Sequence, residues 1–420
     1  MYQFSRRVVV AATITAIAVV VPTVATAAHS VRTIGGTRVY YAVTSDTDTS
    51  KTADPTQGIY WMNADGTGSR HRLSSKGASV NQPYGIAINP IRGYVYWANY
   101  VGGQISRANL DGTGSGVNLF RTGSAAGPVG IAIDPTHAKL YWSNYTPPGS
   151  IQVGALNGQG KPSTLALSGV THANAPCDLT IDTSSMLLYW ANCGLTGHGN
   201  TMMQSDLTAS NKTSVIALTT SGAYANEVNG IAVNSALNSA YWTSYNAKSA
   251  DKVLGMTPLA LPHGANLNLT GGGKPVAPEG IALDPTTNTL YWANGTVQKT
   301  LASGVTSVLS SEAVPANDYV GYMAILAPPR SLGAPVISGS LTVGSTLTCS
   351  KGGWDANMSS AHYFDAAATY GYSWTMNGQP VLGAMKSTFT TSIAGRMACA
   401  VEASNVAGST AVSSDAVTVG

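Results

Sequence analysis

GIAINPIRGYVYWANY, residues 85–100, is the stretch that decides the fold. A short apolar run, Ile86-Ala87-Ile88, meets the turn-opening pair Asn89-Pro90, and a second run carries Tyr96-Trp97. The same order of residues starts again at Gly130 (GIAIDPTHAKLYWSNY), Asp178 (DLTIDTSSMLLYWANC), Gly230 (GIAVNSALNSAYWTSY) and Gly280 (GIALDPTTNTLYWANG). The tryptophans of the Tyr-Trp pairs, Trp97, Trp142, Trp190, Trp242 and Trp292, are spaced by 45, 48, 52 and 50 residues. That is the length of one four-stranded propeller blade. With no helical periodicity inside the repeat, a helical solenoid is excluded.

Within each repeat the first run is apolar on both faces, as expected of a strand covered by a neighbour on each side. Its Gly and Ala permit close approach at a crowded axis. Asp or Asn opens a tight turn, and the Tyr-Trp strand places its two aromatics on opposite faces. A third strand ends in a turn such as Asn109-Leu110-Asp111-Gly112, and Val117 to Arg121 reads as an outer fourth strand. Two fragments flank the five full repeats. Arg38 to Val43 matches a second strand without its first, and Gln57 to Gly68 matches a third strand and its turn. Tyr322 to Pro328 matches a first strand without partners. Joined, they make a sixth blade and remove the open edges of the ring. The expectation is an all-β chain with a six-bladed β-propeller closed by a C-terminal first strand.

The five Tyr-Trp repeats resemble the YWTD repeats of low-density lipoprotein receptor propellers, over roughly residues 37–328. The family's Thr-Asp is replaced by Ala98-Asn99, Ser143-Asn144, Ala191-Asn192, Thr243-Ser244 and Ala293-Asn294. The resemblance implies that this last position links neighbouring blades, with Asn keeping the hydrogen bond without the charge. No epidermal-growth-factor-like module follows the repeats.

After a linker at 329–335 (Pro329-Arg330-Ser331-Leu332-Gly333 and on), the pattern changes. Cys349, Trp374 and Cys399 come in the order of an immunoglobulin-like sandwich over residues 336–420. The stretch from Trp354 to Tyr370 is longer than such a domain needs, and Met397 stands where a tyrosine is usual. At the other end, the basic Met1 to Arg7, the apolar Val8 to Val21, Pro22 and Ala25-Thr26-Ala27 make a three-part secretory signal, residues 1–28. The mature chain, from 29, is expected to be secreted or held at the cell surface of a bacterium, with no membrane span. Four cysteines in an exported chain favour disulfides, expected as Cys177 with Cys193 and Cys349 with Cys399.

Charged residues are 10 % of the chain and the formal charge is +3, two of it in Arg6 and Arg7. That leaves no basic stripe for nucleic acid. No P-loop, GxSxG elbow or HExxH is present. Asp46-Thr47-Asp48-Thr49-Ser50 resembles the start of a calcium loop, but Lys51 replaces the turn glycine and Gln57 the bidentate glutamate. No cofactor is expected, with calcium the weaker alternative. Propeller function usually sits where loops converge over the central channel. Tyr84, His172, His198, Glu227, Asn229, Glu279 and Asp318 are the candidate ligand-binding residues there, and no residue is assigned a catalytic or metal-ligating role. Tyr100, Tyr145, Tyr224 and Tyr245 offer rigid amphipathic contacts nearby. The function expected is non-catalytic binding or adhesion to an extracellular protein, glycan or cell-wall ligand. The alternative is an enzyme of the lyase or lactonase type with a metal-assisted site at the channel.

Overall fold

In the computed structural model, residues 35–45, 56–123, 126–167, 175–193, 201–208, 213–216, 228–244, 253–259, 267–269, 278–301, 306–308 and 318–420 are described. The expected signal segment and the Asp46–Ser50 loop lie outside them. Each full repeat folds into one antiparallel four-stranded sheet with its strands in sequence order. The innermost strands are Pro83–Asn89, Pro128–Asp134, Pro176–Asp182, Val228–Asn234 and Pro278–Asp284. Every sheet keeps one register, with Ile86 opposite Trp97, Ile131 opposite Trp142, Leu179 opposite Trp190, Ile231 opposite Trp242 and Ile281 opposite Trp292. The five tryptophans are buried, and so are the tyrosines before them.

The two flanking fragments join. Asp318–Leu326 pairs antiparallel with Arg38–Ser45, which pairs with Gly58–Asn63 and then His71–Arg72. The innermost strands touch in ring order, and the last of them, Asp318–Leu326, returns to the first, Pro83–Asn89. Among the described residues the molecule is therefore an all-β ring of sheets, a β-propeller.

The turn after each innermost strand is built by its last side chain. Asn89, Asp134, Asp182, Asn234 and Asp284 each accept a hydrogen bond from a backbone N–H two or three residues on. The chain then passes through the left-handed region at Gly93, Ala138, Met186, Asn238 and Asn288. Only one of those five positions is glycine, so the turn geometry overrides the cost of a side chain there.

At the axis the backbones nearly touch. A Cβ on Gly85 would lie 2.3 Å from the Val129 carbonyl oxygen, and one on Gly130 would lie 2.4 Å from that of Cys177. Gly230 and Gly280 face the next sheet just as closely. The resemblance is corrected on what joins one sheet to the next. Asn99, Asn144 and Asn192 are buried, but donate to Ser106, Ser150 and Thr201 on the third strand of their own sheets. In two of the five repeats a side-chain bond between sheets comes from one residue earlier. Ser143 donates to the Cys177 carbonyl and Thr243 to the Glu279 carbonyl, while each hydroxyl accepts the N–H of Gly130 or Gly230 in its own sheet.

Beyond residue 330 two further sheets share a core. Ile337–Ser338, Thr346–Cys349 and Thr388–Thr390 form one sheet. The other centres on Thr369–Met376, Gly395–Asn405 and Gly408–Ser413. Disulfides join Cys349 to Cys399 across these sheets and Cys177 to Cys193 across one repeat. Such bonds persist in an oxidising environment. Trp374 lies in the shared core opposite Cys399 and donates to the Lys386 carbonyl at 2.9 Å. The stretch expected to be a linker is tied down. Ser331–Gly333 pairs with Gly353–Trp354, and Arg330 pairs with Asp355.

The long Trp354–Tyr370 stretch leaves these sheets and enters the ring. Tyr363–Phe364 adds a parallel pairing to the end of Asp318–Leu326. The helical turn Ser359–Ala361 touches four innermost strands. Ser359 accepts from Thr180 at 2.6 Å, and Ser360 donates to the Val233 carbonyl at 3.0 Å. His362, 2 % exposed, places Nε2 2.9 Å from the Ile231 carbonyl and 3.4 Å from Asp178 Oδ2. Asp178 also accepts the N–H groups of Leu179 and Ile231, tying two adjacent sheets to this plug. No helix among the described residues is long and apolar enough to cross a membrane.

Two outcomes are expected. Gly130→Ala forces a Cβ against the next strand and should cost about 1–3 kcal/mol in denaturant unfolding, more if the ring cannot spread; an unchanged midpoint would refute the close approach. The second concerns pH. Burial pushes the His362 pKa down, but the Asp178 carboxylate and the Ile231 carbonyl outweigh it, so it is raised overall. Burial and the neighbouring Asp355 carboxylate raise the Asp365 carboxyl to about 8. Both groups hold more protons folded than unfolded. Their contribution is therefore intact below the unfolded pKa and is lost as pH rises through the folded one. For Asp365 stability should fall by up to ~1.4 kcal/mol per pH unit between about pH 4 and pH 8, and His362 should add to the fall as pH rises above about 6.5. His362→Gln should flatten part of that slope, and a slope identical to wild type would contradict the assignment.

Candidate functional site

Each innermost strand begins with an irregularity. Pairing with the Tyr-Trp strand shifts register between Pro83 and Ile86, Pro128 and Ile131, Pro176 and Leu179, Val228 and Ile231, and Pro278 and Ile281. The residues inside these bulges include Tyr84, Val129, Cys177, Asn229 and Glu279. A bulge re-aims the side chain it carries. In a strand with regular pairing, the same residues would face a neighbouring sheet.

Two of the candidates, Asn229 and Glu279, are brought together with a third residue that was not among them. Tyr322, from the closing strand, donates from Oη to Asn229 Oδ1 at 2.6 Å, and Asn229 Nδ2 donates to the Glu279 carboxylate. The order is enforced by charge. Burial, then the Asp178 and Glu279 carboxylates, raise the Tyr322 pKa well above that of an ordinary phenol, so it remains a donor. Asn229 is thereby turned with its amide N–H toward Glu279. Tyr322 is 2 % exposed, while Asn229 and Glu279 are half-buried. Tyr322 lies near both the Glu279 and the Asp178 carboxylates.

Tyr84 stands within a row of rings. Its hydroxyl meets that of Tyr319, with centroids 5.7 Å apart, and its edge meets Tyr100 at 5.7 Å. Tyr100 in turn meets Tyr145 at 6.3 Å. All four are half-buried. Tyr84, Tyr100 and Tyr145 pack with Val129, Tyr322 and the Cys177–Cys193 disulfide. Asp318 begins the closing strand opposite Ser45, which puts its backbone at the same rim. His172, His198, Glu227, Tyr224 and Tyr245 lie outside the described residues.

Sequence reasoning did not select Tyr319 or Tyr322 for this site. Tyr322 was readable only as part of a closing strand. Its counterpart in the other strands is a glycine, or Asp178, and that break in the glycine pattern was the available signal. His362 gave no signal, because it lies in a region whose pattern belongs to another set of sheets. Among the described residues, no group of three or more His, Cys, Asp or Glu side chains is placed to hold a metal ion. What the site offers is phenol faces and hydroxyls, one amide and one carboxylate.

No protein-family profile matches this chain, and no curated protein matches it. Solved structures do. A chain of the nidogen/laminin complex aligns with TM-score 0.51 and 17 % identity, over 69 % of this chain and 98 % of its own. A gluconolactonase from Xanthomonas campestris aligns at 0.44 and 15 % identity, over 57 % of this chain and 79 % of its own. The hydrazine synthase of Kuenenia stuttgartiensis aligns at 0.42 and 15 %, over 58 % and 70 %. The first of these likenesses speaks for the fold, a β-propeller, and for nothing finer.

Proposed function

We propose that this chain is an exported, non-catalytic binding protein. In this reading a six-bladed propeller spans residues 29–328 and an immunoglobulin-like domain spans 336–420. The tyrosine-lined mouth takes an extracellular protein or glycan ligand. The observation that carries the reading is the continuous row Tyr319–Tyr84–Tyr100–Tyr145 beside the Asn229–Glu279 pair. Tyrosine supplies wide, rigid contact at little entropic cost and keeps a polar tip for hydrogen bonding. The Tyr322–Asn229–Glu279 chain fixes its donors and acceptors before a ligand arrives, which lowers the cost of ordering them on binding.

The metal-assisted enzyme is the second reading, and Glu279 favours it as a carboxylate held at the axis by an oriented amide. It needs further ligands near that carboxylate.

The test is a binding screen of the mature protein against extracellular proteins and glycans, with Tyr84→Ala and Glu279→Gln alongside. A true ligand should bind about tenfold or more weakly to Tyr84→Ala, the scale of a contact worth ~1.4 kcal/mol, while the melting temperature stays within a few degrees. Binding that ignores both variants would move the site elsewhere. A saturable, EDTA-reversible rise in melting temperature with a divalent cation, lost in Glu279→Gln, would instead favour the enzyme.

A further inference from the structure

On the opposite rim, where the innermost strands end, a cleft of about 490 Å³ opens between the sheets that begin at Pro83 and Pro128. The turn residues Ile91 and Arg92, the strand residues Tyr94, Tyr96 and Arg107, and Leu156 from the neighbouring sheet line it. That volume falls in the range of small-molecule sites, roughly 300–1,000 Å³.

Two guanidiniums share this space in a chain that is only 10 % charged. Arg107 is half-buried, lies over the Tyr94 ring, 4.3 Å from its centroid, and shares the cleft with the buried Tyr96 phenol. Burial pushes the Tyr96 pKa up to about 12, so that group stays a neutral phenol. Arg92 is exposed, and its backbone is pinned by the Asn89 side chain at 3.1 Å. No acidic residue lines the cleft. The ion pairs His137–Asp134, Arg330–Asp355 and His362–Asp178 do not engage Arg92 or Arg107. A guanidinium fork matches the oxygens of a carboxylate or phosphate, and a fork already held by aromatic rings loses little freedom on binding one. Ile91, Pro135 and Leu156 give the cleft an apolar wall beside the charge.

We infer that this cleft is a second ligand site, separate from the tyrosine-lined mouth, for a small ring-bearing oxyanion, a carboxylate or phosphate carried on a sugar-sized ring. Arg92 and Arg107 hold the oxyanion, and the apolar wall takes the face of the ring. The site does not depend on the function proposed for the mouth.

Titration of the mature protein followed by NMR or calorimetry tests it, with glucuronate, glucose 6-phosphate, glucose and inorganic phosphate as probes. Glucuronate or glucose 6-phosphate should bind saturably, and more weakly as salt is added. Whichever of the two binds identifies the oxyanion. Arg92→Gln should weaken binding about tenfold or more, the scale of a lost charge-assisted hydrogen bond. Arg107→Gln should do the same, but Arg107 also packs on Tyr94, so the exposed Arg92 decides the matter. No saturable binding of either acid would overturn the site, as would equal binding by Arg92→Gln. Glucose binding as tightly as glucuronate would overturn the role of the charge. Inorganic phosphate binding as tightly as glucose 6-phosphate would overturn the role of the wall.

Discussion

At the axis of this ring, strands approach so closely that a single added carbon would meet a backbone oxygen of the next sheet. Gly85, Gly130, Gly230 and Gly280 meet that constraint by having no side chain. The closeness lets the Ser143 and Thr243 hydroxyls bridge two sheets at once, accepting from one backbone and donating to the next. Where glycine is absent, at Asp178 and Tyr322, a side chain must go somewhere, and both fill the space on the axis. The interior chemistry of the ring comes from these two exceptions.

They act on different partners. Tyr322 donates to Asn229 and orients it toward Glu279. Asp178 ties the neighbouring sheet to His362, which arrives from the C-terminal sheets. Both groups of polar side chains draw their partners from distant parts of the chain. A buried carboxylate is costly without partners, and here two N–H groups and an imidazole supply them.

Much of the ring was legible because one constraint repeats. A Tyr-Trp pair every 45 to 52 residues, with an Asx turn before it, could be read without knowing any contact. The two terminal fragments could be joined because each lacked what the other had. Half of the mouth was legible for the same reason, since Tyr84, Asn229 and Glu279 sit at one repeated position. The link between sheets was not. The family resemblance drew attention to the last residue of the motif, whereas in two repeats a bridging hydroxyl, Ser143 or Thr243, stands one place before it. The plug was legible only as surplus length between Trp354 and Tyr370. What that length reaches depends on how two sets of sheets dock, and no local pattern encodes docking. Asp365 is similar: its sequence neighbours say nothing of a carboxyl buried without a hydrogen-bond partner.

The pairing of Asp318–Leu326 with Arg38–Ser45 also orders events in time. During synthesis the chain emerges from its N-terminus, so Arg38–Ser45 is made first and its innermost partner nearly 300 residues later. Until then the growing arc carries a strand with one edge unpaired and the backbone donors and acceptors on it open, the kind of edge on which chains aggregate. The plug is made later still, after the strand that closes the ring. A chain cut short before residue 318 would keep its first edge exposed, so the covering of that edge is a property of the last hundred residues.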